Sequence, residues 1–387
     1  MEDICTRPLS AVDGPVWQRS LPQALVLVVI LVGLLIYAFV PFLALSWIPR
    51  PFIGGFVEQT MLFNGILLSE EGWPAYSQGV TTGDRLLSID GRSVRDVVEM
   101  KQALAPYQVG DPVTLQVQTP RGTTEEIQIH LAAFPLDAQL TFFYFPYLVG
   151  LLYLVAAVWV FAIRRGYASG RAFSLFSVSV ALTCGLLFDA YTTHFLTGLW
   201  TVALGAIGGS SVALVLLFPR EDPLVKQHPR ITWLAMIFGL TLAALALTSL
   251  YDFRSPPAYW LFWRLETIFI ACSLIFLLAW SYFRGRTSWP NDREQGRLIT
   301  LAALVSFAPL GLWFLTNALF HSPGFSPVLI LFLAIFPIVS GYTVQRYRMV
   351  QSDVVLSLGL QYGLLSILVV LSYALLSAGL GLGLVSL

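Results

Sequence analysis

Charged side chains are scarce in this chain: Asp, Glu, Lys and Arg make up 11% of its 387 residues, against 57% hydrophobic ones. A soluble domain carries about 25% charge, so the scarcity excludes an ordinary soluble fold and makes this an integral membrane protein. Cysteine is equally rare. Cys5, Cys184 and Cys272 stand far apart, two of them within apolar runs, which excludes a disulfide framework or a CxxC metal site and leaves each as a small hydrophobe. Of the four histidines, His130, His194, His228 and His321, none precedes Glu and no two stand four apart. A His-Glu-x-x-His zinc protease therefore fails on ligand count. Gly208-Gly-Ser-Ser211 lacks the closing glycine of a Gly-x-Ser-Gly serine motif, and its small residues suit close helix packing instead. No Walker A, kinase or Rossmann loop is present, so no catalytic residue, cofactor or metal is expected.

What the chain has in abundance is long apolar runs. Nine approach the roughly 20 residues that cross a bilayer, at about 23–46, 141–163, 172–190, 197–218, 231–250, 259–283, 298–320, 325–344 and 356–384. The first exceeds the h-region of a signal peptide and has no Ala-x-Ala site after it, so it is expected to remain as a signal anchor. The fold class is thus a polytopic α-helical membrane protein of about nine transmembrane helices with an inserted small α+β domain. Its layout is a cytoplasmic tail (1–22), helix 1 (23–46), an extracytoplasmic module (52–134) and a multi-span domain of about eight helices (141–387).

Orientation follows from basic residues in short loops. Arg164, Arg165 and Arg171; Arg220, Lys226 and Arg230; Arg284, Arg286, Arg293 and Arg297; and Arg346 with Arg348 mark four cytoplasmic loops, whereas the alternate loops hold only Arg254. The N-terminus is then inside and the module outside, at a bacterial cytoplasmic membrane. Nine spans would leave Leu387 outside after Gly-Leu-Gly-Leu-Val-Ser-Leu. Either the ninth run is a hairpin broken at Gly379–Gly383, or the chain is a fragment, the favoured expectation.

The module holds ten acidic and five basic residues, so with zero net charge overall the rest carries an excess of five positive ones. Val113–Thr119 and Glu126–Leu131 alternate at period two around Pro120-Arg-Gly-Thr, which predicts a hairpin. Leu86–Val94 reads as a short strand with Asp90-Gly91 as its tight turn. Ser93 is placed to cap a helix over Val94–Leu104. The order Gly65-Ile-Leu-Leu-Ser, Pro74-Ala75, Gly79-Val80, Gly83-Asp84 and Ile89-Asp90-Gly91 resembles the PDZ domains of periplasmic trypsin-like proteases and site-2 proteases. That resemblance implies an extended peptide added to a sheet edge, with its terminal carboxylate in a backbone nest. The matching residues are Ile53, Gly54, Gly55, Phe56 and Val57 for nest and edge, and Met100, Lys101 and Leu104 for the opposite wall. The competing reading is that Gly54 and Gly55 turn the chain as it leaves the membrane, while Met100 and Leu104 belong to the core.

Ionisable residues within spans point to function. Asp189, His194, Arg264, Glu266, Asn317 and His321 are all expected toward the outer leaflet, either lining a cavity or as ordinary interfacial residues. Arg264 and Glu266, two apart, cannot share a helix face.

Finally, Gln345-Arg-Tyr-Arg-Met-Val-Gln-Ser-Asp-Val-Val-Leu-Ser-Leu-Gly-Leu-Gln-Tyr-Gly-Leu-Leu-Ser366 resembles a juncture of multi-span bacterial sensor histidine kinases. With a PDZ-like domain after the first span, the chain is similar to the N-terminal sensor region of pheromone-receptor kinases. The resemblance implies a sensory region that binds a peptide or envelope protein outside and transmits through helix packing. A stand-alone scaffold or chaperone is the alternative, and a transporter-like protein the third. Expected partners are the lipid bilayer, a peptide or protein C-terminus and a second copy of the chain, with no nucleic acid.

Overall fold

The computed structural model describes residues 16–65, 72–218, 221–228, 230–255, 257–287, 290–320 and 328–346. Helix α1 (Val16–Trp47) begins earlier than its apolar run suggests. After the module come α4 (Leu136–Gln139), a π-helical turn (Leu140–Tyr144) and α5 (Phe145–Arg164), which form one continuous apolar rod. Then follow α6 (Ala168–Gly185), α7 (Leu187–Tyr191), α8 (Thr197–Leu217), α9 (Pro223–Gln227), α10 (Ile231–Ser249), α11 (Ala258–Thr287), α12 (Pro290–Phe320), α13 (Val328–Leu333) and α14 (Ile335–Arg346).

Among the described residues six helices, not nine, are long and apolar enough to cross a membrane. The third expected span divides at Leu186 into α6 and the short α7. Helix α6 is less apolar because it is enclosed by α1, α5 and α8 and has little lipid to face. Two of its serines bond to backbone inside the bundle, Ser174 Oγ donating to Ala157 O and Gly170 O at 3.0 Å each and Ser179 Oγ to Leu175 O at 2.9 Å. The eighth expected span is the α13–α14 pair, whose apolar stretch Leu329–Thr343 falls short of a span. The ninth, at 356–384, lies outside the described residues, as do Cys5, His321, Arg348 and the juncture beyond Arg346.

Small residues decide where the helices meet. The Tyr37 hydroxyl of α1 donates to Ala181 O at 2.7 Å, while Tyr147 Oη donates to Tyr37 O at 2.8 Å. A Cβ on Gly150 would stand 1.8 Å from Tyr37 Oη, and one on Gly185 2.8 Å from its ring. Helices α8 and α10 cross backbone to backbone: a Cβ on Gly239 would lie 2.2 Å from Gly205 O, and one on Gly209 2.5 Å from Met236 Cα. This is the close packing that glycine permits between membrane helices.

The module is a small α+β unit. Helix α2 (Pro74–Ser77) precedes β1 (Arg85–Ile89), β2 (Arg92–Ser93), α3 (Val97–Leu104), β3 (Pro112–Gln118) and β4 (Thr124–His130). The sheet is antiparallel in the order β2-β1-β3-β4. Strands β3 and β4 form the expected hairpin, running from Pro112 opposite His130 to Gln118 opposite Thr124. The predicted Leu86–Val94 strand is instead the β1–β2 hairpin, with Asp90 and Gly91 at φ 45° and 75°, values suited to a two-residue turn. Helix α3 starts three residues later than expected. Asp96, not Ser93, is its cap: its carboxylate accepts from Glu99 N at 2.8 Å, and Glu99 Oε2 accepts from Arg95 N. Alternate strand residues Val113, Leu115 and Val117 pack with Val97, Met100 and Leu104 in a core of the module's own.

A second apolar cluster joins the module to the helices. Phe56 meets Phe142 edge-on at 4.7 Å, and Trp47 meets Phe134 at 4.8 Å and Phe188 at 5.7 Å. These edge-to-face arrangements are the favourable ones for aromatic pairs. The module is therefore seated on the bundle.

Candidate functional site

Residues 52–64 set the geometry of the site. Gly54, at φ 78°, turns the chain against α2, where a Cβ would meet Pro74 N at 2.5 Å. Val57 then pairs with Phe63, Glu58 N donating to Leu62 O and Asn64 N to Phe56 O. In this antiparallel pairing the N–H and C=O of Val57 itself point the other way, to the open edge. Along that edge the backbone N–H of Val57, and before it those of Gly54 and Gly55, have no bonded partner among the described residues. A run of free N–H groups beside a glycine is what a carboxylate nest requires.

The edge faces α3 across a cavity of about 340 Å³. Ile53, Gly55, Phe56 and Val57 form one wall, and Met100, Lys101 and Leu104 the other. Seven of the eight residues proposed from sequence thus share one cavity, while Gly54 lies behind it as the turn. Met100 and Leu104 line the cavity and also belong to the module's core.

Sequence reasoning did not anticipate the third wall. The end of α7 and the loop after it enter the cavity with Tyr191 and Thr192. Just beyond them His194 Nε2 lies 2.7 Å from Val57 O, and Lys101 Nζ donates to Thr193 O at 3.4 Å. A neutral ring bonded this way carries its hydrogen on Nε2. Burial pushes the His194 imidazole down to about 4 and also lowers the Lys101 ammonium. The open carbonyl of the edge is therefore occupied in cis.

Asp189 organises this loop rather than lining a cavity. Wholly buried, its carboxylate accepts from Thr193 Oγ1, from Phe195 N at 2.9 Å and from Leu196 N at 2.7 Å. Its own carbonyl accepts from His194 N at 2.8 Å, which helps hold His194 at φ 54°.

A larger cavity, about 360 Å³, opens on the other side of Phe56 and Val57, between the module and helices α8, α11 and α12. Of the outer polar set, His194, Arg264 and Asn317 line it, whereas Asp189 and Glu266 do not. Glu266 is fully buried elsewhere, next to Gly205. The missed residue is Glu58. Its Oε1 accepts from Trp260 Nε1 at 2.5 Å and from Asn64 Nδ2 at 2.7 Å, and enclosure raises its carboxyl from 4.5 to about 7. A lone acid in a turn gives no sequence signal for this, because its partner stands 202 residues away. Among the described residues no group of three His, Cys, Asp or Glu could hold a metal ion.

Comparison with known proteins agrees on the module. A PDZ domain profile matches residues 65–131, so the chain holds a PDZ domain together with several apolar helices. No similarity to a curated protein was found.

Proposed function

We propose that this chain is the membrane-embedded sensory region of a bacterial signalling receptor, in which the PDZ groove takes a peptide or protein C-terminus and passes the event to the helices. One observation carries the reading: the groove between residues 53–57 and α3 is closed on its third side by Tyr191 and Thr192 of the helical domain. A strand added to the edge needs the Val57 carbonyl now held by His194. Binding must therefore displace the loop that joins α7 to α8, and the ligand's differential affinity for the two loop positions is what can shift helix packing. The arginine-rich loops support an inside N-terminus and a module outside the cytoplasmic membrane. Domain order and the 345–366 juncture support a receptor over a scaffold.

The test uses the full chain in lipid nanodiscs, a library of C-terminal peptides, and spin labels on α3 and on the 192–196 loop. A peptide that binds with a free carboxylate, fails when amidated and lengthens the label distance supports the receptor. Binding with an unchanged distance favours the scaffold or chaperone. Failure of every free C-terminus to bind, to wild type and to His194→Ala alike, sinks the groove assignment.

A further inference from the structure

The larger cavity holds an acidic and a basic side chain that do not meet. Glu58 is held by Trp260 and Asn64, and Arg264 has no acidic partner among the described residues. Around them three lining residues, each more than nine-tenths buried, carry polar atoms without a protein partner: the Gln59 amide nitrogen, the Thr197 hydroxyl and His194 Nδ1. A buried polar group left unmatched is costly. All three belong to residues that line one cavity, which marks it as a place where polar atoms are to be matched.

Their chemistry divides in two. Gln59, Thr197 and Arg264 can donate, and together they suit a carboxylate. His194 Nδ1 accepts, since its hydrogen is spent on Val57, and the Glu58 carboxylate accepts beside it; these suit an ammonium. Trp200, Tyr259 and Trp263 supply the remaining wall, an apolar surface whose ring faces also attract a cation. At about 360 Å³ the space is at the small end of ligand pockets, which run from about 300 to 1,000 Å³.

We propose that this cavity binds an apolar α-amino acid in its zwitterionic form, with the carboxylate on Arg264, Gln59 and Thr197, the ammonium on Glu58 and His194, and the side chain against Trp200, Tyr259 and Trp263. A ligand ammonium beside Glu58 favours its ionised form, so the acid and Arg264 then complement a ligand that carries the opposite pair at a short fixed distance. The site is distinct from the PDZ groove and stands whether or not the groove binds peptides. Because it is walled by both the module and the helices, its occupant strengthens their docking.

The experiment is calorimetry and thermal melting of the full chain in detergent against free leucine, phenylalanine and tryptophan, each also as its N-acetyl and its amide form. The expected result is saturable binding of at least one free amino acid, raised melting temperature, and about tenfold or greater loss on blocking either end. Glu58→Gln should weaken binding of the free and N-blocked forms unequally, and Arg264→Gln the free and C-amidated forms unequally. Ligand-free melting curves identify any variant that has not folded, with Asn317→Ala, on the rim, as a second probe. No binding by any free amino acid overturns the proposal. So does equal binding of free and blocked forms, or a tightly held zwitterionic lipid, found by extraction, that the amino acids do not displace.

Discussion

Tyr37 shows how much a single side chain can carry in this bundle. It closes one hydrogen bond to α6 and receives another from α5, over the two glycines that make room for it. Tyr37→Phe should cost about 1 kcal/mol, one buried hydrogen bond, readable as a lowered melting temperature in detergent. Gly150→Ala should cost more, because the new methyl overlaps Tyr37 Oη and lies 2.9 Å from Ala181 O, a backbone atom that cannot move aside. An alanine variant that melts like wild type would show that α1 does not seat there. Glu58 makes a prediction about pH. Its folded value of about 7 exceeds the ordinary 4.5, so the folded state holds the proton more tightly. That contribution is fully present below about 4.5 and is lost as pH rises through about 7. His194, lowered to about 4, works in the opposite sense, being favourable above 6.5 and lost as pH falls toward 4. Wild type should therefore lose stability relative to Glu58→Gln between about pH 4.5 and 7, with the difference constant below and above that window, read from melting curves across pH.

At the scale of elements, the 189–196 loop joins the PDZ edge to the bundle, and Asp189 is its organiser. Asp189→Asn must turn an amide nitrogen toward a backbone or hydroxyl donor, leaving buried donors face to face at about 1–3 kcal/mol. The expected outcome is faster hydrogen exchange confined to residues 192–197 and stronger peptide binding, since His194 no longer guards Val57. Protection unchanged in that loop would place its stability elsewhere. Helix α6 makes the complementary point: a helix enclosed by three others can be rich in serine because hydroxyls such as those of Ser174 and Ser179 bond to backbone instead of meeting lipid.

At the scale of the whole molecule, the aromatic seam makes module and helices one body. Phe52, Phe56, Trp73 and Phe134 pack against Trp47, Phe142 and Phe188. A module of residues 50–135 expressed alone would expose that patch to water and should self-associate, seen by light scattering, whereas alanine at Phe56 and Phe134 should restore a monomer. A monodisperse wild-type module would mean the seam is too small to matter.

The sequence by itself determined the class of protein, the hairpin of residues 113–130 and the PDZ order, because apolar run length, period-two alternation and Asp-Gly turns are local signals of local physics. It also marked seven residues that do share one cavity, through a resemblance anchored in glycines. It overstated the spans meeting a length-and-hydropathy test, since a run of letters does not reveal that α6 breaks at Leu186 or that α13 and α14 are short. It misplaced a helix start by three residues, since Ser93 and Asp96 are both good caps and the fold chose between them. Only the tertiary structure decided that a loop 137 residues downstream of the groove edge occupies it, and that Glu58 and Arg264 face one cavity without pairing. Both depend on contacts between segments far apart in the chain, which no periodicity records.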